Sequence, residues 1–271
     1  MSLLDKIYKT SILHYIPRYF LRKLKKKFNY SFVESHLDKL PKKNHPLEIT
    51  FKRQEDLLIN FKSKDYIPRT SCPYLIWILK FIFVDNSKKY NFLDFGGENI
   101  DHYLYLKKNF KNLRYFYFNQ KEHNQVIFDI KKKYSLDDLT VLNNLDEIKK
   151  YNYNFVNFGS VVPYVEDYKF ILNELIDTRP EYIFLSGQIY YEKEVNDKEN
   201  IIVKQVGFFP QVNFCYFFEY LPFLKIFKLK KFELVYDILN PTDVSFKNFN
   251  DKYGEIKYSD LFFKNLNQKQ N

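Results

Sequence analysis

Two adjacent glycines, Gly96 and Gly97, follow a mostly apolar run at residues 92–95, and this pair restricts the possible folds more than any other feature. Only six glycines occur in 271 residues. The run predicts a buried strand, and Asp101 predicts the start of a helix after the turn. Glycine allows positive φ and close approach of a ligand to the main chain. Because ligands of open α/β sheets bind beyond the carboxyl ends of the strands, this turn is the predicted place for a nucleotide-like cofactor. The alternative is an ordinary tight turn between a strand and a helix.

Short apolar segments alternate with amphipathic or charged segments after this turn. The predicted strands cover residues 92–95, 113–118, 139–142, 155–158, 182–185, 232–238 and 256–263. The predicted helices cover residues 103–110, 120–133, 145–151, 164–176 and 217–227. Strands that alternate with helices of about 10 to 15 residues are typical of a parallel sheet with right-handed crossovers. The sequence therefore predicts an α/β fold with a mostly parallel seven-stranded sheet, helices on both faces and a final antiparallel pair.

The N-terminal part of the chain differs from the rest. Residues 1–64 are interpreted as a basic amphipathic arm with a connecting segment, and residues 65–271 as the α/β domain. Within residues 3–28, apolar side chains recur at helical spacing, Pro17 interrupts the pattern, and a basic run follows. The arm either lies on an anionic membrane or packs on the domain with its lysines in solvent, and the second interpretation is favoured. Residues 29–64 predict an extended connection rich in loops, and residues 73–84 a helix.

Charge and cysteine usage limit the class of protein. Lys and Arg number 43 against 33 Asp and Glu, but beyond the arm the lysines are scattered, which indicates a solvated surface. No nucleic-acid-binding motif is present, so a nucleic-acid partner is not expected. Cys72 and Cys215 are far apart and predict neither a metal site nor a disulfide framework. No signal peptide is visible, and no apolar run approaches the roughly 20 residues that span a bilayer. We therefore expect a cytoplasmic protein. If residues 1–28 bind lipid, it would also contact the inner face of the membrane peripherally.

Four segments together resemble one family. They are L-D-F-G-G at 93–97 with D-H-Y at 101–103, F-G-S-V-V-P-Y-V-E-D at 158–167, V-K-Q-V at 203–206 and C-Y-F-F at 215–218. In order and spacing they resemble S-adenosylmethionine-dependent methyltransferases that are often encoded among genes for surface-polysaccharide assembly. The resemblance covers about residues 60–265. It implies a Rossmann-like methyltransferase fold, S-adenosylmethionine as the cofactor, and methyl transfer to a hydroxyl of a sugar or glycan precursor in surface-polysaccharide biosynthesis.

The resemblance also implies a set of site residues. The expected cofactor-binding residues are Asp94, Gly96, Gly97, Asn119, Gly159 and Ser160, and the expected substrate-binding residues are Tyr164 and Gln205. His102 is the candidate general base because the ordinary pKa of histidine lies close to neutrality. Two alternatives stay open: Asp94, inside an apolar strand, could brace the turn, and His102 could be structural at the start of its helix.

Three positions depart from the family pattern, one of which is Glu98, where this chain adds a carboxylate. Ile100 stands where such proteins usually have a glycine that makes room for the methionine part of the cofactor. The second strand ends at Phe118, Asn119 and Gln120, where an acidic residue usually holds the ribose hydroxyls. A neutral amide holds a hydroxyl less strongly than a carboxylate does, since charge-assisted hydrogen bonds are roughly twice as strong. The departures leave open a second hypothesis, a catalytically inactive protein with this fold that acts as a binding or scaffolding partner.

Overall fold

The computed structural model describes residues 32–41, 50–61, 73–85, 87–193, 200–205, 213–239, 246, 249 and 251–267. In these residues the strands are β1 (Phe32–Glu34), β2 (Tyr90–Phe95), β3 (Leu113–Phe118), β4 (Leu139–Leu142), β5 (Phe155–Asn157), β6 (Tyr182–Tyr191), β7 (Asn200–Gln205), β8 (Asn213–Glu219), β9 (Phe232–Leu239) and β10 (Ile256–Asn265). The helices are α1 (Phe51–Phe61), α2 (Pro73–Ile82), α3 (Asp101–Asn109), α4 (Lys121–Tyr134), α5 (Leu145–Ile148), α6 (Tyr168–Ile176) and α7 (Tyr220–Leu229). Short 3-10 helices cover Val162–Tyr164 and Asp251–Tyr253.

Seven strands form the predicted sheet, in the order β4, β3, β2, β5, β6, β10, β9. The first five are parallel, whereas β10 is antiparallel to both β6 and β9. The predicted fold class, a mostly parallel α/β sheet closed by an antiparallel pair, is thus confirmed. The order reverses between β2 and β5, because the chain moves outward from β2 to β4 and then returns to the other side of β2. A crevice beyond the carboxyl ends of these two strands is where α/β proteins bind ligands.

Three further strands extend the sheet beyond the predicted seven. The long strand β6 pairs with β5 at its start and with β8 at its end, and β8, β7 and β1 continue from there. A β-bulge opposite β10 separates the two halves of β6. Gly187 lies in this bulge at φ +63°, and its N–H donates to the Asp260 carboxylate at 2.7 Å. The predictions that this strand ends at residue 185 and that residues 217–219 are helical are therefore wrong.

Residues before the predicted domain boundary also belong to the sheet and its core. β1 pairs with β7, and α1 packs on the core through Leu58, so the prediction of an extended connection over residues 29–64 is wrong. The Thr50 hydroxyl accepts a hydrogen bond from the Arg53 N–H at 3.3 Å, as residues preceding a helix often do.

The predicted helical arm at residues 3–28 lies outside the described residues. None of the helices in the described part of the chain has both the length and the apolar character needed to cross a bilayer.

Aromatic rings fill the space on both faces of the sheet. On one face Phe92 lies 5.3 Å, between ring centroids, from both Tyr115 and Phe155. On the other face Phe95 lies 5.0 Å from Phe118. Side chains two positions apart on a strand share a face, so Asp94 lies on the face of Phe92, the face that α3 covers. The alternation of side chains along β2 therefore places the Asp94 carboxylate beneath the first turn of α3.

Candidate functional site

The two glycines of the first turn are required for different reasons. Gly96 adopts φ +77°, and a Cβ there would lie 2.7 Å from the Val161 side chain. Gly97 has no positive φ, but a Cβ there would lie 2.5 Å from Asp94 Oδ2 and 3.1 Å from Tyr117 Cε2. Gly96 thus provides the turn conformation and Gly97 provides space, whereas the sequence predicted the conformational role for both glycines.

Asp94 is held by several buried side chains. It is 1% exposed; Oδ2 accepts a hydrogen bond from the Tyr115 hydroxyl at 2.5 Å and Oδ1 accepts one from Asn157 Nδ2 at 2.7 Å. His102 Nδ1 lies 3.4 Å from Oδ2. Buried carboxylates are tolerated when they are hydrogen-bonded in this way. The contacts agree with the turn-bracing alternative, and a contact between Asp94 and a cofactor stays a prediction.

Asn119, at the end of β3, is turned towards the glycine turn. Its Nδ2 donates to the Gly97 carbonyl at 2.8 Å, and its Oδ1 accepts from the Gln120 N–H at 2.7 Å. The Tyr117 hydroxyl donates to the same Gly97 carbonyl at 2.5 Å. Asn119 and Tyr117 therefore hold the turn in place, and a direct bond from Asn119 to a ribose stays a prediction.

His102 lies in the first turn of α3 and faces Asp94 with a side chain that is only 15% exposed. Burial lowers the pKa of its imidazole, but the hydrogen bond and charge of Asp94, together with the charge of Asp101, leave the pKa raised above its ordinary value of 6.5. The residue is thus a base of increased proton affinity whose Nδ1 is directed at a carboxylate. Its catalytic role stays a prediction, while its contact with Asp94 is a structural one.

The raised pKa of His102 predicts how stability depends on pH. A group that binds its proton more tightly when folded stabilises the fold fully below its unfolded pKa, and this contribution is lost as pH rises through its folded pKa. We therefore expect the difference in free energy of unfolding between wild type and His102→Gln to shrink as the pH is raised from about 5.5 to about 8.5. Urea denaturation across this range measures it. A difference that stays constant with pH would contradict the proposed His102–Asp94 interaction.

The turn after β5 lies beside the glycine turn. Gly159 adopts φ +49°, and a Cβ there would meet nothing within 4 Å, so this position faces open space. The Gly159 carbonyl accepts hydrogen bonds from the Ser186 N–H at 3.0 Å and from Gln188 Nε2 at 3.2 Å, which tie the turn to β6. Ser160 Oγ lies 3.4 Å from Ser186 Oγ. Because Val161 also touches Gly96, the structure brings together the cofactor residues expected from the two separate segments.

The two expected substrate-binding residues contact each other directly. The Tyr164 hydroxyl donates to Gln205 Oε1 at 2.8 Å, although 41 positions separate the residues in sequence. Burial raises the pKa of the Tyr164 phenol, with smaller contributions from Cys215 and Tyr258, so the hydroxyl stays protonated at neutral pH. The pair connects the 3-10 turn after β5 with the end of β7. Substrate contact by either residue stays a prediction.

Two residues of α1 also hold the site, and neither was predicted from the sequence. The Arg53 guanidinium lies 2.6 Å from a carboxylate oxygen of Glu98, and Gln54 Oε1 accepts from the Ile100 N–H at 3.0 Å. Ile100, 1% exposed, packs in the core beneath α1. Thr50 before the helix, and the spacing of Gln54 and Leu58 on one face, were the signals that could have predicted α1.

No family model and no curated protein matches this sequence. Among solved structures, the chain resembles coclaurine N-methyltransferase bound to N-methylheliamine and S-adenosylhomocysteine, with a TM-score of 0.52 and 11% identity over 97% of this chain and 100% of that one. It also matches the N-terminal domain of EvdMO1, solved with S-adenosylhomocysteine and D-fucose, with a TM-score of 0.49 and 8% identity over 79% of this chain and 95% of that one. The fold is a Rossmann-like methyltransferase fold. At such low identity the likeness to coclaurine N-methyltransferase supports the fold alone, and the chemistry must be argued from the site.

Proposed function

We propose that the protein transfers a methyl group from S-adenosylmethionine to a hydroxyl of a sugar or glycan precursor in surface-polysaccharide biosynthesis. One observation carries the proposal. The turns at Gly96 and Gly159, each at positive φ, follow the neighbouring strands β2 and β5 and meet where the strand order of a methyltransferase-type sheet reverses. Ligands of α/β proteins bind at such a switch point.

The residues around this crevice fit the cofactor in part. The space beside Gly159 is open, and the glycine turn is held firmly, so the main chain is prepared for a ligand that approaches it closely. Asn119 is a less suitable partner for a ribose, because both of its polar atoms already have partners. We therefore assign cofactor contact mainly to the backbone at Gly96, Gly159 and Ser160. When bound, the cofactor would supply an electrophilic methyl group.

The acceptor side of the proposed reaction requires positioning and removal of one proton. As the acceptor oxygen takes the methyl group, its hydroxyl proton leaves, and S-adenosylhomocysteine is the second product. Methyl transfer depends largely on holding donor and acceptor in line, with at most one general base. Tyr164 and Gln205 are proposed to bind the acceptor hydroxyls: the Tyr164 oxygen, which donates its proton to Gln205 Oε1, still has a lone pair that can accept a hydrogen bond, and the Gln205 amide also carries a donor. His102 is proposed as the base because Asp94 raises its pKa.

Calorimetric titration with S-adenosylmethionine and S-adenosylhomocysteine tests the proposal. We expect both to bind, and we expect methyl transfer to sugar nucleotides or glycan precursors in a radiolabel assay. If neither binds up to about 1 mM, equivalent to about −4.1 kcal/mol, the enzyme proposal is contradicted.

The alternative function is that of an inactive scaffolding protein with this fold. Two observations favour this alternative: the side chain of Asn119 is already hydrogen-bonded, and Ile100 is buried.

Substitution of Gly159 by leucine places a side chain in the proposed crevice. We expect Gly159→Leu to weaken binding of S-adenosylhomocysteine at least about tenfold, about 1.4 kcal/mol, because its side chain would occupy the open space. Gly254→Leu is the matched control, since Gly254 also has a positive φ, +66°, but lies beside Lys193. Calorimetry gives the affinities, and thermal unfolding shows how much stability each variant loses. Equal affinities in the two variants would contradict the location of the site.

Contact between residues 1–28 and an anionic membrane also remains a proposal. It rests on the basic amphipathic sequence of this segment. We expect weak binding to vesicles that contain anionic lipid, and we expect added salt to reduce it, because charges at a membrane surface are screened over about 8 Å at physiological ionic strength. Vesicle sedimentation of the full chain and of a variant that lacks residues 1–28 measures this. Undiminished binding of the shortened chain would contradict the role of the segment.

A further inference from the structure

Gln54 has one hydrogen-bonding group without a partner at the edge of the proposed cofactor site. The residue is 0% exposed, and its Oε1 accepts a hydrogen bond from the Ile100 N–H. Its Nε2 has no hydrogen-bond partner in the described part of the chain. Buried polar groups in folded proteins are nearly always paired, so an unpaired donor requires an explanation. A ligand that accepts this hydrogen bond is one such explanation.

The surroundings of this donor favour an anion. Ile100 directly precedes the nine-residue helix α3; its own side chain does not cap the helix, and Asn99 Oδ1 accepts a hydrogen bond from the Asp101 N–H at 2.8 Å. The amino end of a helix carries a partial positive charge and binds anions. Three carboxylates lie near this helix end: Glu98 is paired with Arg53, Asp94 is bonded to Tyr115 and Asn157, and Asp101 lies in the first turn of α3. Because Nε2 shares its amide carbon with Oε1, it lies close to this helix end.

We propose that Gln54 Nε2 binds the carboxylate of the cofactor's amino-acid part, an inference that rests on the proposed function. Among the groups of S-adenosylmethionine, this carboxylate is the anionic one, and it is the group that a free amide donor beside a helix amino end would select. The two polar atoms of the Gln54 amide then act together. Oε1 holds the backbone at Ile100, and Nε2 binds the ligand at the same place.

Two substitutions distinguish the role of the acceptor Oε1 from that of the donor Nε2. Gln54→Glu keeps an oxygen that can accept from the Ile100 N–H but replaces the donor by a second acceptor, which would repel a carboxylate. Gln54→Met keeps the length of the side chain and removes both hydrogen-bonding groups. Gln125→Glu is the control for the added charge, because Gln125 is exposed on α4 and bonds only to the nearby Asp129 in the described structure.

The probes are S-adenosylhomocysteine and 5′-methylthioadenosine, which shares the nucleoside but lacks the amino-acid part. We expect Gln54→Glu and Gln54→Met to weaken binding of S-adenosylhomocysteine at least about tenfold, because hydrogen bonds to charged groups are among the stronger ones in proteins. Binding of 5′-methylthioadenosine should change little, and Gln125→Glu should resemble wild type with both probes. Calorimetry at pH 7 and pH 8.5 shows whether the introduced carboxyl is ionised, and thermal unfolding of the ligand-free variants measures their stability.

The outcomes distinguish this inference from the proposed function. If wild type binds neither probe, the proposed function fails and the inference fails with it. If wild type binds S-adenosylhomocysteine and both Gln54 variants bind it equally well, only the role of Gln54 is overturned. If the variants lose affinity for both probes to the same extent, Gln54 merely shapes the turn and the direct contact is overturned. Selective loss of affinity for S-adenosylhomocysteine supports the contact.

Discussion

Replacing Asp94 by alanine is expected to lower the free energy of unfolding by about 3 to 6 kcal/mol, because two hydrogen bonds to a charged group contribute about 1.5 to 3 kcal/mol each. The substitution would leave the Tyr115 hydroxyl and Asn157 Nδ2 buried without their acceptor. It would also remove the carboxylate that faces His102. Urea denaturation with a linear extrapolation measures the loss.

A double-mutant cycle with Tyr115→Phe tests the reason for this loss. If Tyr115 donates to Asp94, then Asp94→Ala should be less harmful in the Tyr115→Phe background, since one unpaired group is already absent. Asp137→Ala is the control, because Asp137 is an exposed aspartate and its removal should leave stability nearly unchanged. Additive effects of Asp94→Ala and Tyr115→Phe would contradict a direct bond between the two side chains.

The parallel part of the sheet could be predicted because each of its strands is a short apolar run between polar segments. β3 and β4 have the predicted bounds, residues 113–118 and 139–142. The sequence did not predict the end of β6 or the strands β7 and β8. The reason is that β6 continues through a bulge at Gly187, and in the sequence this glycine looks like the end of a strand. The aromatic-rich run at residues 214–218 has no clear period, so its last two residues, Phe217 and Phe218, were assigned to the following helix. Pro222, in the first turn of α7, was the available signal for the start of that helix.

The candidate site was predictable only where its residues lie in one local segment. Gly96, Gly97 and Gly159 stand out because glycine is rare in this chain. Their partners are distant in sequence, and nothing local marks them. Tyr117 is one of 24 tyrosines, and its hydroxyl reaches Gly97 only because β3 pairs with β2 in one particular register. Gln54 comes from a helix 46 positions before Ile100, and its contact depends on how that helix packs on the core.

Gly97→Ala is the second large expected effect, and its cause is lack of space. A Cβ at this position would lie 2.5 Å from Asp94 Oδ2 and 3.0 Å from Asp94 Cγ. Asp94 cannot easily move away, because Tyr115 and Asn157 hold it on both oxygens. Overpacking of a well-packed core costs about 1 to 3 kcal/mol. We expect a loss of stability in this range and, because the turn must shift, a loss of at least about tenfold in affinity for S-adenosylhomocysteine.

Gly254→Ala is the control that separates crowding from backbone strain. Gly254 has a positive φ of +66°, and a Cβ there would meet only the flexible Lys193 side chain, at 3.0 Å. Its substitution should therefore cost about 1 to 2 kcal/mol of conformational strain and leave the affinity unchanged. Gly97 has no positive φ, so a loss of affinity in Gly97→Ala alone would be explained by the contact with Asp94. Wild-type affinity in Gly97→Ala would show that the glycine turn can shift without affecting the ligand, and the crevice between β2 and β5 would no longer be the favoured cofactor site.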